Sequence, residues 1–495
     1  MSTTTPQHVA IVGGGTAGCV LAARLSESPD FHVTLLEAGG DDSTYDEVLL
    51  DPSRTPEAWS GHAPAAFSLM QGPPADVAVF QGRVLGGTSA ANGLATLRGL
   101  PVDYDGWAAM GLNGWAWDDV VDTFIAAERD LDFGESPLHG DTGPLPVRRW
   151  RREEHSRAQR AYIDGMTALG ESTVADINDA SQLPGIGVFP ATIDDNARRV
   201  STSLAYLPPS VRARENLTIR TGADAAAIAM EDGRATGVVL SSGEHVAADE
   251  VVVSCGTLWT PQLLMLSGIG PADHLEEHGI DVIANLPVGS TMSDHLGPAI
   301  PYVYDGPETA TGGPAQALLV GASNGHDIDY HAFPITATPI DGQAQFLLSV
   351  FLLRSGGDGT VRLSGSREAG PLVTLPSLPD DAPDRFRHAF DKLVAWQGTA
   401  AFAELGAEQV EPLDLTADDA VQQALERHLL SYAHMVGTCP MGTVLDADCR
   451  VHCVDGLRVT DGSVMPTIPS GNTYLGCVMI AERVAAKMIA ESDSH

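Results

Sequence analysis

Residues 8–18 read His8-Val9-Ala10-Ile11-Val12-Gly13-Gly14-Gly15-Thr16-Ala17-Gly18. A short apolar, β-branched run of this kind predicts a strand buried in a parallel sheet. The glycines at Gly13, Gly15 and Gly18 have the G-x-G-x-x-G spacing. Gly13 permits the tight turn, Gly15 lets backbone approach a pyrophosphate, and Gly18 lets a helix pack closely on the strand. Residues 19–25 have helical apolar spacing. The first turn at Thr16 and Ala17 therefore offers free N–H groups and a positive dipole end to phosphates. His32-Val-Thr-Leu-Leu36 predicts a second strand, and Glu37 closes it 19 residues past Gly18. A carboxylate there accepts hydrogen bonds from ribose hydroxyls and repels a 2′-phosphate. Strand, turn, helix, strand and acid together predict a Rossmann-type dinucleotide cradle. The cradle alone does not separate FAD from NAD.

Further glycine-rich loops lie outward from the cradle. Gly82-Arg83-Val-Leu-Gly86-Gly87-Thr88-Ser89-Ala90-Ala91-Asn92-Gly93 sets adjacent glycines before small hydroxyl residues, which lets backbone lie flat against a planar ligand. Glu250-Val-Val-Val-Ser254 predicts another buried strand. Residues 256–270 then combine a strand exit, a helix with Pro261 near its start and a glycine-rich stop. Towards the C-terminus come Tyr432-Ala433-His434-Met435-Val436-Gly437-Thr438-Cys439-Pro440-Met441-Gly442, and the run from Leu457 through Asp461-Gly462 to Pro469-Ser-Gly471-Asn472-Thr473. The last run opens a predicted helix over 474–491.

Taken in this order, the motifs resemble the glucose–methanol–choline (GMC) oxidoreductases over nearly the whole chain. Residues 82–105 resemble that family's first signature, with departures at Ala91 and Thr96, and residues 256–270 fit its second signature throughout. The resemblance implies FAD as cofactor and oxidation of an alcohol. It implies cofactor contacts at Gly13, Gly15, Thr16, Ala17, Gly18, Glu37, Ala38, Arg83, Gly86, Gly87, Thr88, Asn92, Gly93, Ala225, Asp461, Gly462, Asn472 and Thr473. Asp461 would bond the ribityl or phosphate region, and the last helix would point its N-terminus at the flavin's N1–C2=O edge. Some members attach the flavin through a histidine at the position matched by Ala91, so noncovalent FAD is expected here. His434 matches the family's catalytic histidine and Asn472 the second residue across the substrate. Imidazole is suited to removing the hydroxyl proton while hydride leaves for flavin N5. The Asn472 amide orients the hydroxyl, although Asn is also a favoured helix cap.

The expected fold class is α/β: a Rossmann-type FAD-binding domain with a discontinuous α+β substrate-binding domain on an antiparallel sheet. The first would use 6–150, 218–298 and 428–495, the second 151–217 and 299–427. Alternating runs at 328–333 and 345–351 predict strands of that sheet, and 384–396 and 417–430 predict helices. The Gly-Pro-rich segment 305–314 predicts a mobile loop at the site entrance.

The 495 residues carry 65 acids against 28 bases, a formal charge of −37. That surface excludes nucleic acid and anionic membranes as partners. No apolar run reaches membrane-spanning length and no secretory signal is evident, so a cytoplasmic enzyme is expected. Cys439, Cys449, His452 and Cys453 crowd one region without matched ligand pairs, so no metal is expected and His452 reads as structural. The expected partners are a small alcohol or sugar-like substrate and oxygen or another electron acceptor. Two alternatives stay open: a non-redox lyase acting on hydroxynitriles, and a dehydrogenase passing electrons to a carrier such as mycofactocin.

Overall fold

The strand Gln7–Val12 lies in the middle of a five-stranded parallel sheet. Its order is Leu217–Arg220, Phe31–Leu36, Gln7–Val12, Glu250–Val253 and Leu457–Val459. The computed structural model describes residues 6–62, 64–306, 308, 310–354, 356–365 and 370–492. Val9 to Val12 and Val251 to Val253 are almost wholly buried, as their unbroken apolar runs require. The helix Thr16–Leu25 packs against the last helix, Thr473–Ser492, and Arg24 is tied to Glu482 at 2.8 Å. The glycine-rich turn and the last helix therefore meet at the C-terminal edge of the sheet, where α/β proteins hold their ligands.

A second sheet is mainly antiparallel. Its long strands are Leu296–Tyr304, Gln343–Leu352, Ile328–Ile340 and Ala317–Ala322, paired in that order. Leu296–Tyr304 runs through residue 298, where the sequence reading set a boundary, and pairs there with Leu429–Ser431. The strands alternate cleanly between two environments. Tyr330 and Ala332, with Phe346, Leu348 and Val350, share a core with residues of the helices Arg157–Ala168, Ala382–Gln397 and Ala420–His428. Phe333, Ile335, Leu347 and Phe351 belong to a different apolar cluster on the opposite face. The period of two thus turns one face to covering helices and the other to the interior between the sheets.

The segment 305–314 does not take the expected place. Part of it lies against 154–157: the Gly312 N–H donates to the Glu154 carbonyl at 3.0 Å, and Arg157 bonds the Asp305 carbonyl. None of its described residues lines the central cavity, while Pro307 and Thr309 lie outside the described residues. Among the described residues, no helix is long and apolar enough to cross a membrane.

Candidate active site

A cavity of about 940 Å³ runs from the glycine-rich turn to the antiparallel sheet. Gly13, Gly15, Thr16, Ala17, Glu37, Ala38, Arg83, Gly87, Thr88, Asn92, Gly93, Ala225, Asp461, Gly462, Asn472 and Thr473 all line it, and so does His434. Gly18 and Gly86 do not. A Cβ on Gly18 would stand 1.9 Å from the Gly13 carbonyl, so this glycine serves helix-to-turn packing. Gly86 adopts φ +97° and donates its N–H to the Gly14 carbonyl at 2.7 Å, joining the two glycine loops. Gly15 differs: a Cβ there would meet no protein atom closer than 3.8 Å, and it lines the cavity. The protein does not need that space, whereas a ligand against the backbone would.

Glu37 is buried and accepts from the Gly14 and Gly39 N–H groups, each at 2.8 Å. Burial raises its pKa against these two bonds and nearby Arg83. Asp461 is committed more fully. Its carboxylate accepts from the Gly256 N–H at 2.8 Å, the Thr260 hydroxyl at 2.6 Å and the Ser463 N–H at 2.8 Å. It braces the loop after Glu250–Val253 against the loop after Leu457–Val459.

At the far end, a relay of rings fixes the imidazole of His434. His295, wholly buried, places Nε2 3.0 Å from the Leu353 carbonyl and Nδ1 2.9 Å from His434 Nδ1. Burial lowers the pKa of His295 to about 3 and that of His434 well below the ordinary 6.5, so each ring carries one proton. The Leu353 carbonyl can only accept, which places the proton of His295 on Nε2 and its lone pair on Nδ1. His434 therefore donates from Nδ1 and keeps its lone pair on Nε2, 2.9 Å from the Asn472 amide nitrogen. The Asn472 Oδ1 is buried without a hydrogen-bond partner, so this side chain does not cap the last helix. The Tyr432 hydroxyl lies beside the same amide and makes no hydrogen bond of ordinary geometry.

The backbone holding this group is clamped from both sides. Asp294 accepts from the His434 N–H at 2.9 Å and bonds the Ser431 hydroxyl. Asp103 accepts from the Ser470 N–H at 2.7 Å and its hydroxyl at 2.8 Å, which fixes the turn that delivers Asn472. Sequence reasoning missed His295, Asp294 and Tyr432 as site components. Asp294 and His295 fall in no spaced motif, and nothing local marks a buried histidine as the partner of another 139 residues away.

Two family models, both described as GMC oxidoreductase, match residues 8–297 and 355–481. The chain belongs to the GMC oxidoreductase family. It is 33% identical to a 5-(hydroxymethyl)furfural oxidase of Methylovorus sp., covering 97% of this chain and 98% of that one. It is 32% identical to an oxygen-dependent choline dehydrogenase of Photobacterium profundum, covering 97% and 93%. The structure superposes on pyridoxine 4-oxidase from Mesorbium loti with a TM-score of 0.88 at 27% identity, covering 98% and 99%. This GMC oxidoreductase is thus an FAD-dependent enzyme acting on CH–OH groups. Its cavity fits the cofactor: two glycine loops face it with bare backbone, and the buried Gln81 Oε1, Gln262 Nε2 and Asn472 Oδ1, all on lining residues, lack protein partners.

The crowded cysteines hold no such place. Cys439 and Cys449 are buried, Cys453 is exposed, and His452 lies off the cavity. Among the described residues, the one group spaced like metal ligands is Glu128, Asp130 and His139. Arg98 and Arg149 bond the same carboxylates, which makes it an ion-pair network.

Proposed function

We propose that the enzyme oxidises a small alcohol to the carbonyl compound, with His434 removing the hydroxyl proton and Asn472 orienting the hydroxyl. The observation that carries this reading is the placement of His434, whose Nδ1 lies 2.9 Å from His295 and whose Nε2 lies 2.9 Å from the Asn472 amide on the cavity wall. In this structure the Nε2 lone pair takes the Asn472 N–H. An arriving alcohol exchanges this bond for two: its oxygen accepts from the Asn472 amide and its hydrogen goes to His434 Nε2. The imidazole is neutral at pH 7 because burial lowers its pKa, so Nε2 is unprotonated when the alcohol arrives. FAD, when bound, accepts the hydride that leaves the carbinol carbon. Gly13, Gly15 and the start of the helix Thr16–Leu25 would hold its pyrophosphate, Glu37 its ribose, and the loops at 87–93 and 461–473 its ring system. The division into a flavin domain (6–150, 218–298, 428–495) and a substrate domain (151–217, 299–427) belongs to the same proposal. The antiparallel sheet supports it by turning one face to the cavity.

His434→Ala keeps the flavin spectrum and loses flavin reduction by about 10²–10⁴-fold, the usual yield of a general base. Anaerobic stopped-flow isolates that step. Reduction at the wild-type rate would remove His434 from the role. The FAD is proposed to be noncovalent, because Ala91 offers no imidazole and packs with Val48, Leu49 and Ala58. Acid precipitation then releases the yellow colour to the supernatant, and colour retained in the pellet contradicts the proposal.

A further inference from the structure

The end of the cavity next to His434 has a composition of its own. Trp59, Phe333, Ile335, Leu347, Phe351 and Leu430 line it, and they form one apolar cluster with Tyr432. Tyr432 is sandwiched: its ring centroid is 4.0 Å from that of His434 and 4.4 Å from that of Phe351. Trp59 is pinned by its indole N–H, which donates to the Ala91 carbonyl at 2.8 Å, so it presents carbon rather than a donor. Among the described residues, the carboxylates on the cavity wall lie elsewhere. Glu37 is held by Gly14 and Gly39, Asp224 faces Arg83 at 3.7 Å, and Asp461 is spent on the loops behind it. Asp294 sits behind His434 and does not line the cavity. The polar side-chain atoms grouped beside His434 are its own Nε2, the Asn472 amide and the Tyr432 hydroxyl.

We infer that the substrate is a neutral arylmethanol, its ring against the wall of Trp59, Phe333, Leu347 and Phe351 and its single hydroxyl at His434 and Asn472. This inference rests on the reading of that pair as the alcohol site. A polyol brings hydroxyls that this wall leaves unpaired, and each unpaired group opposes binding. A quaternary ammonium alcohol brings a charge that no carboxylate among the described residues meets at this end of the cavity. The ring face of Tyr432 is covered by Phe351 and His434, so the faces of Trp59 and Phe333 would have to meet the cation without a counter-charge. A carboxylated alcohol meets no cation at this end among the described residues, and the −37 charge of the chain opposes its approach. An aromatic ring suits aromatic walls through edge and offset contacts. In the reaction the carbinol C–H bond breaks and two electrons leave with its hydrogen as hydride to FAD. The O–H proton passes to His434, and the aldehyde is the product.

The test uses the holoenzyme under anaerobic conditions, reading flavin bleaching with benzyl alcohol, cyclohexylmethanol, choline, glucose and 4-(hydroxymethyl)benzoate. Benzyl alcohol is expected to show a second-order reduction rate at least about 10-fold above each of the others. An equal or faster rate with any of them overturns the inference while leaving alcohol oxidation intact. Bleaching by none of them faults the alcohol reading instead, and a binding titration then decides the inference separately. Benzyl methyl ether keeps the ring but has no hydroxyl proton. Its saturable perturbation of the flavin absorbance is expected in the wild type and weakened at least about 10-fold in Leu347→Asp, which sets a carboxylate on the wall. No saturable binding, or equal affinity in Leu347→Asp, overturns it.

Discussion

His434 has its lone pair on the useful nitrogen only because another imidazole accepts from the other one. His295 is a positioning residue, and its replacement has a calculable effect. In His295→Leu the buried Nδ1–H of His434 loses its acceptor, which costs about 1–3 kcal/mol. The Nε2–H tautomer, which cannot take a proton at the cavity, gains by that amount. The rate of flavin reduction is then expected to fall, by at most roughly 5- to 150-fold. Alcohol affinity and FAD content should change little. His295→Gln should recover most of the rate, because its amide carries both an acceptor for His434 and a donor for Leu353. A loss of affinity with unchanged rate, or no difference between Leu and Gln, would mean that His295 only fills space. The sequence marks His434 and Asn472 because each sits in a long motif. It does not mark His295, whose role depends on pairing across the strand Leu296–Tyr304 and the loop before His434.

At the level of elements, the three glycines of the first turn look equivalent in sequence and are not. Gly18→Ala drives a Cβ to within 1.9 Å of the Gly13 carbonyl, a backbone atom that no rotamer change can clear. Overpacking of this kind costs about 1–3 kcal/mol, outweighing the roughly 1 kcal/mol gain in helix propensity. Gly15 has φ −79°, which any residue adopts, and has open space around its Cβ direction. Gly15→Ala should therefore leave the Tm of the apoenzyme unchanged and raise the Kd for FAD by about tenfold or more, as the methyl meets the ligand. Gly18→Ala should lower the apoenzyme Tm. Thermal unfolding of both apoproteins and FAD titration separate the two cases, and a reversed pattern would reassign the glycines. The parallel strands and the last helix were legible for the same reason as this turn: hydrophobic period and glycine spacing are local. The place of 305–314 was not, because its glycines and prolines specify turns without saying which surface they rest on.

Across the whole molecule, stability is coupled to pH through a network whose residues do not line the cavity. Glu128, Asp130 and Asp176 supply three negative charges, and Arg98 and Arg149 two positive ones. The network balances only if His139 is protonated. Its Nδ1 lies 2.9 Å from Glu128 and 3.0 Å from Asp130, and its Nε2 lies 2.7 Å from Asp176. Burial alone would lower the pKa of His139, but hydrogen bonds to Asp130, Asp176 and Glu128 outweigh it and raise the value from 6.5 to about 10. No local pattern foretells this cluster, since its members come from residues 98–176 and meet only in the fold. A histidine with a raised folded pKa contributes stability that is complete below pH 6.5 and is lost as pH rises through about 10. Asp294, which burial raises to about 7, changes charge below most of that window. The Tm of the holoenzyme is therefore expected to fall between pH 7.5 and 10. His139→Gln should be less stable at pH 7 by roughly 3–5 kcal/mol, since it leaves a buried charge unmatched. Buried thiols such as Cys19 and Cys255, whose pKa values burial raises, also cost stability near pH 9 and above, so the variant should show a shallower fall in Tm than the wild type rather than none. A variant whose Tm falls across that window as steeply as the wild type would show that His139 is neutral in the folded enzyme, and the charge balance proposed for the network would then be wrong.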